Sequence, residues 1–99
     1  MADKKAYQEW HDMEANARQI ASDQTLPLWQ KAHKIPGAYT GLDLSGLQSK
    51  HRHKVLNTLG QINVILKKFK LDSFDDYENI DEGNLREIIR LAKGLSPPG

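Results

Sequence analysis

SGLQSKHRHKVLNTLGQINVILKKFK, residues 45–70, decides the fold of this chain. Ser45-Gly46-Leu47-Gln48 fits a capping box, in which a Ser hydroxyl and a Gln side chain satisfy free backbone amides at a helix start. Advancing about 100° per residue from there, Leu47, Val55, Leu59, Ile62, Ile65, Leu66 and Phe69 fall within an arc of about 120°, the width of a stripe facing a core. Thr58 and His51 share that arc. Lys50, Lys54, Asn57, Gln61 and Lys68 line one flank, and Arg52, Asn63, Lys67 and Lys70 line the other. At about 1.5 Å per residue, roughly 25 residues make a rod near 37 Å long, enough to span a small domain. Gly60 sits in its middle, where it costs about 1 kcal/mol against Ala and marks either a close helix crossing or a bend.

Outward from this helix the same signals recur. Before it, Tyr7, Trp10, Met13, Ala17, Ile20 and Ala21 repeat at helical spacing, so a helix is expected from Asp3, its candidate N-cap, to about Ser22. Thr25-Leu26-Pro27 then opens a short helix through Leu28, Trp29 and Ala32, with Thr25 as cap and Pro27 in the first turn. Ile35-Pro36-Gly37 is expected to end it, and PGAYTGLDL, residues 36–44, reads as a loop. After the long helix, Ser73 to Asn79 reads as a short helix capped by Ser73 and burying Phe74 and Tyr77. Asp81 caps the last helix, Ile80 and Leu85 have the spacing of a hydrophobic staple, and Gly94 closes it. No repeat and no alternating strand pattern is visible. The expected fold is all-α: a small single-domain bundle of four to five helices around the long helix at about residues 45–70, with residues 1–95 as the domain and 96–99 as a flexible tail.

Composition narrows the function class. The 99 residues contain no Cys, which removes disulfides, thiolate metal sites and thiol nucleophiles and fits a reducing, cytoplasmic setting. No window approaches the roughly 18 to 20 apolar residues needed to cross a bilayer, and MADKKAYQEW lacks the apolar centre of a signal peptide. Neither a phosphate-binding loop nor a nucleophile elbow occurs, and Gly37-Ala38-Tyr39-Thr40-Gly41 matches no nucleotide-binding pattern. A helix-loop-helix calcium site starting at Asp76 fails because Ile80 and Asp81 occupy positions that need a ligand and a Gly. His51 and His53, two apart on a helix, point to different sides and do not share a metal. His51 on the apolar arc reads as a core or interface histidine, His11 as helix surface, and Trp10, Trp29 and Tyr39 as core. No catalytic residue, cofactor or metal is expected.

The charge pattern points instead to binding. Between Asp43 and Asp72 there is no acidic residue, while Lys50, Arg52, Lys54, Lys67, Lys68 and Lys70 supply six positive charges. Asp72, Asp75, Asp76, Glu78, Asp81 and Glu82 then supply six negative charges with no Lys or Arg among them, so a net charge of +1 conceals two opposed blocks. Such polarity suits electrostatic steering toward a macromolecular partner. The expected function is a small non-catalytic regulator, adaptor or inhibitor that binds another protein, with Asp72, Asp75, Asp76, Glu78 and Glu82 as an acidic recognition face. The alternative is a nucleic-acid-binding accessory protein that uses the six basic residues to contact phosphates. A helix-turn-helix is not expected, since one candidate turn is too long and the other presents acids where a reader of bases needs cations. Homodimerisation through the opposed blocks or the apolar stripe is a third possibility.

Overall fold

A computed structural model describes residues 4–71 and 74–98, with the side chains of Phe74 and Asp75 set aside. Four α-helices and two short 3-10 helices follow one another, and no strand occurs among the described residues. The all-α expectation holds. Helix α1 spans Lys4–Ser22, α2 Leu28–Gly37, α3 Ser49–Lys67 and α4 Glu82–Lys93, with 3-10 helices at Leu44–Gly46 and Phe74–Asn79.

Each helix buries the face that its apolar spacing specifies. Ala6, Trp10 and Ala17 point inward from α1, Ala32 and Ile35 from α2, Val55, Ile62 and Ile65 from α3, and Leu85, Ile88 and Ala92 from α4. These residues join Tyr39, Leu47, Ile80 and Leu95 in one core that contains no buried charged residue. Trp10 and Tyr39 are core residues, as their size suggests, while Trp29 is half-buried. Complete burial of Ile88 contributes about 1.5–3 kcal/mol.

The hub is not the long helix. The most extensive pairing is between α2 and α4; α2 also packs on α1 and on the 3-10 helix Phe74–Asn79, whereas α3 packs chiefly on α4. Instead of being wrapped by the other helices, α3 offers one face to the core and leaves the rest of its circumference in water. It is also shorter than expected, because the capping box does not form. Asp43 accepts the backbone N–H of Ser45 at 3.1 Å and its hydroxyl at 2.6 Å, which turns Leu44–Gly46 into a 3-10 helix and takes Ser45 out of contention as a cap. A carboxylate two residues upstream competes better for those donors than Gln48 does. Helix α3 then starts at Ser49 with no side-chain cap on Gln48.

Two other boundaries differ from expectation. Asp23, not Thr25, organises the α1–α2 turn: it accepts the backbone N–H of Thr25 at 2.9 Å and the hydroxyl at 2.6 Å, and Pro27 occupies the N-cap position of α2. Helix α2 also continues through Pro36, whose missing N–H forfeits one bond in the last turn. At the other end of the chain the local signals are accurate. Asp81 caps α4 by accepting the backbone N–H of Asn84 at 3.2 Å, Ile80 and Leu85 are both buried, and Gly94 forms the C-cap. The expected Asp3 and Ser73 caps and the burial of Phe74 fall outside the described residues and side chains.

Candidate functional site

The residues with a claim to function lie mainly on α3. Val55, Ile62 and Ile65 define its inward side, and the opposite side carries Leu56, Gly60 and Val64. Residues four apart advance by about 40° around a helix, so these three form a shallow spiral line along the solvent side. Leu56 retains 47% and Val64 61% of its accessible surface, and they are the large hydrophobic residues left exposed in the described structure. Nothing lies within 4 Å of where a Cβ on Gly60 would stand. Asn57, Gln61 and Asn63 beside the line are exposed.

The six basic residues do not gather into one patch. Lys50, Arg52 and Lys54 lie at the N-terminal end of α3 and Lys67, Lys68 and Lys70 at its C-terminal end, separated along the axis by about 25 Å. All are exposed except Arg52, which is half-buried, and among the described residues none of the five lysines forms an ion pair. The first turn of α3 has no acidic residue, so Lys50 and Arg52 stand at the positive end of the helix dipole, the end that ordinarily attracts carboxylates. Arg52 turns back toward the chain: one of its terminal nitrogens lies 3.5 Å from the carbonyl of Leu47, while its Nε is buried without a hydrogen-bond partner.

This end of α3 is fixed to α1 by an aromatic joint. The Tyr7 hydroxyl accepts the Gln48 backbone N–H at 3.0 Å and lies 2.7 Å from Nδ1 of His51. His51 stands edge-on to Tyr7 and Trp10, with ring centroids 5.6 and 6.4 Å away. The interface-histidine reading therefore holds. His33 packs edge-on against Tyr77, 5.0 Å between centroids, and desolvation there lowers its pKa below the ordinary value.

Two of the acidic residues, Asp81 and Glu82, are committed to local tasks. Glu82 pairs with Arg86 one turn along α4, and Asp81 is held below the usual carboxylate pKa by hydrogen bonds from the Asn84 side chain and backbone, with a smaller contribution from the charge on Lys68. Lys68 is thus a point where the opposed blocks meet. Asp76 is half-buried and Glu78 exposed on the second 3-10 helix; Asp72 and the Asp75 side chain fall outside the described set. Among the described residues no three His, Asp or Glu side chains are grouped so as to hold a metal ion. No helix there is long and apolar enough to cross a membrane.

Two adjoining surface grooves lie away from α3. One of about 460 Å³ lies between α1, α2 and the end of α4, with Ala17, Ala21, Ile35 and Tyr39 in its lining. Its carboxylate, Glu14, is only 13% exposed and pairs with Arg18 at 3.2 Å. Burial, reinforced by Glu14, raises the Tyr39 pKa above that of an ordinary phenol. The second, of about 320 Å³, has four cationic side chains in its lining, of which three are engaged: Lys31 donates to the Ala21 carbonyl at 2.9 Å, and Arg86 and Arg90 pair with Glu82 and Glu87.

Helical projection does not single out Leu56 and Val64, and it carries Lys68 and Lys70 on a helix that ends at Lys67. The available signal was two large apolar residues at the same helical spacing as Gly60, outside the core arc. Protein-family models, curated proteins and solved structures were all compared with this chain, and none matches it.

Proposed function

We propose that this chain is a non-catalytic protein-binding domain that acts as a regulator, adaptor or inhibitor, and that the solvent side of α3 is its recognition surface. The observation that carries the reading is the exposed Leu56–Gly60–Val64 line on a helix that has cations at both ends and no carboxylate along its length. Exposed apolar groups ringed by polar ones are characteristic of protein contact sites, whereas a phosphate backbone offers nothing to cover Leu56 or Val64. The spacing of the cations favours the same side. Three at each end, about 25 Å apart, leave the middle of the helix without a phosphate ligand. Of the acidic residues, Asp81 is engaged in capping α4 and Glu82 in pairing with Arg86, which leaves these two less available to a partner.

The test is affinity capture from a native extract with the tagged wild-type protein and with a Leu56→Asp, Val64→Asp variant, each with and without nuclease. Partners retained after nuclease and lost with the variant support the reading. Capture that disappears with nuclease alone refutes it in favour of nucleic acid.

A further inference from the structure

Resting on that reading, we infer that the partner segment is an acidic amphipathic helix that lies antiparallel along α3, with its carboxylate-rich C-terminal end over Lys50, Arg52 and Lys54. Three observations converge on this occupant. First, Gly60 stands mid-helix with open space in front of it, at a position where Ala would favour the helix, and among the described residues nothing uses the close approach that a bare backbone permits. A second helix crossing there would use it, with Leu56 and Val64 packing on either side of the crossing. Second, charge selects the partner: α3 has no acidic residue, and its exposed lysines are unpaired among the described residues, so the complementary helix has carboxylates flanking its apolar line. Third, the positive end of the α3 dipole carries Lys50 and Arg52 with no acid in the first turn, and a partner's carboxylates and negative C-terminal end relieve that concentration of charge only if the two helices run antiparallel.

The α3 helix of a second copy does not fit the same surface. Antiparallel self-pairing centred on Gly60 sets Lys67 opposite His53 and Lys68, the C-cap, opposite Arg52; parallel pairing sets each cation beside its own copy. Both arrangements bring like charges together along the contact.

The experiment is selection from a displayed library of helical peptides with randomised apolar and flanking positions, against the wild-type protein. Bound peptides are then measured against a Leu56→Asp, Val64→Asp variant and a Lys50→Glu, Lys54→Glu variant, with circular dichroism establishing that both fold. Support requires enriched peptides with an apolar line, acidic flanks and a C-terminal excess of carboxylates, whose affinity falls at least tenfold against each variant. Enrichment of neutral or basic peptides, indifference to the Leu56/Val64 change, or no enrichment overturns the inference. Peptides that bind but ignore both variants leave a protein-binding function intact while removing it from α3. Retention of a duplex oligonucleotide, lost in the Lys→Glu variant and accompanied by no peptide enrichment, overturns both readings. Dimerisation of the wild-type protein through this face, shown by a doubled mass that the Leu56→Asp, Val64→Asp variant reverts, also overturns the acidic partner.

Discussion

Gly60→Ala separates what α3 contributes to the fold from what it offers to a partner. Gly60 lies within the α3 span of Ser49–Lys67, and an added Cβ meets no atom within 4 Å, so neither a clash nor a new contact enters the balance. What remains is the intrinsic helix preference of Ala over Gly, about 1 kcal/mol in favour of the variant. For a domain of this size each kcal/mol moves the melting temperature by roughly 4–8 °C, so the expected rise is of that order. Thermal unfolding followed by circular dichroism at 222 nm reads it directly, and urea unfolding with an unchanged slope establishes that the native state has gained stability. The same methyl group intrudes on the proposed helix crossing, so affinity for an α3-docking peptide falls as the melting temperature rises. A lower melting temperature refutes the open-space reasoning. Higher stability with undiminished affinity refutes the idea that Gly60 exists for a close approach.

Two other expectations concern the fold alone. Trp10→Phe removes the indole N–H that donates to the Leu95 carbonyl, leaves a buried acceptor unmet and vacates part of the core; the expected loss is about 2–3 kcal/mol, read from the urea midpoint, and a loss below about 0.5 kcal/mol refutes the joint. Stability should also fall in two stages as pH drops. Desolvation lowers the His33 pKa in the folded state, so the unfolded chain binds that proton first and stability begins to decline just below pH 6.5. Asp23, Asp43 and Asp81 are held low by hydrogen bonds from Thr25, Ser45 and Asn84, so their contribution is complete above their ordinary pKa of 3.8 and is lost as pH falls through the lower folded values. Melting temperature against pH should lose its first stage in His33→Gln and keep the second; an unchanged first stage sinks the assignment to His33.

The contrast between what was and was not legible in the sequence follows the range of the interactions. Asp81 as cap, Ile80 and Leu85 as inward neighbours and Gly94 as terminator involve residues a few positions apart, and they are where their spacing put them. At Ser45 the same local logic failed because two local motifs competed: Asp43 reaches the Ser45 amide and hydroxyl before Gln48 can complete a box. The role of α3 was misjudged for a different reason. Length suggested a central rod, but centrality depends on which helices find one another, and α2 and α4 pair most extensively. Leu56 and Val64 escaped notice because a projection weighted toward the majority of apolar residues finds the core and treats the remainder as noise. Seen on the folded chain, that remainder is the exposed line on which the proposed recognition surface rests.

The contact between Trp10 and Leu95 bears on the order of events in folding. Helices α1, α2 and the α2–α4 pair use contacts that can form as each segment becomes available, but the buried indole of α1 reaches its acceptor 85 residues later in the chain. Closing so long a loop is entropically the most demanding step in the bundle, and it returns nothing until α4 is in place. During synthesis the Trp10 indole therefore lacks this acceptor until residue 95 emerges, with Tyr7 on its own helix and then His51 of α3 as aromatic neighbours. The contact that ties the two ends of the described chain together thus becomes available only once α4 has been made, and until then the indole N–H that is buried in the finished fold has no Leu95 carbonyl to meet.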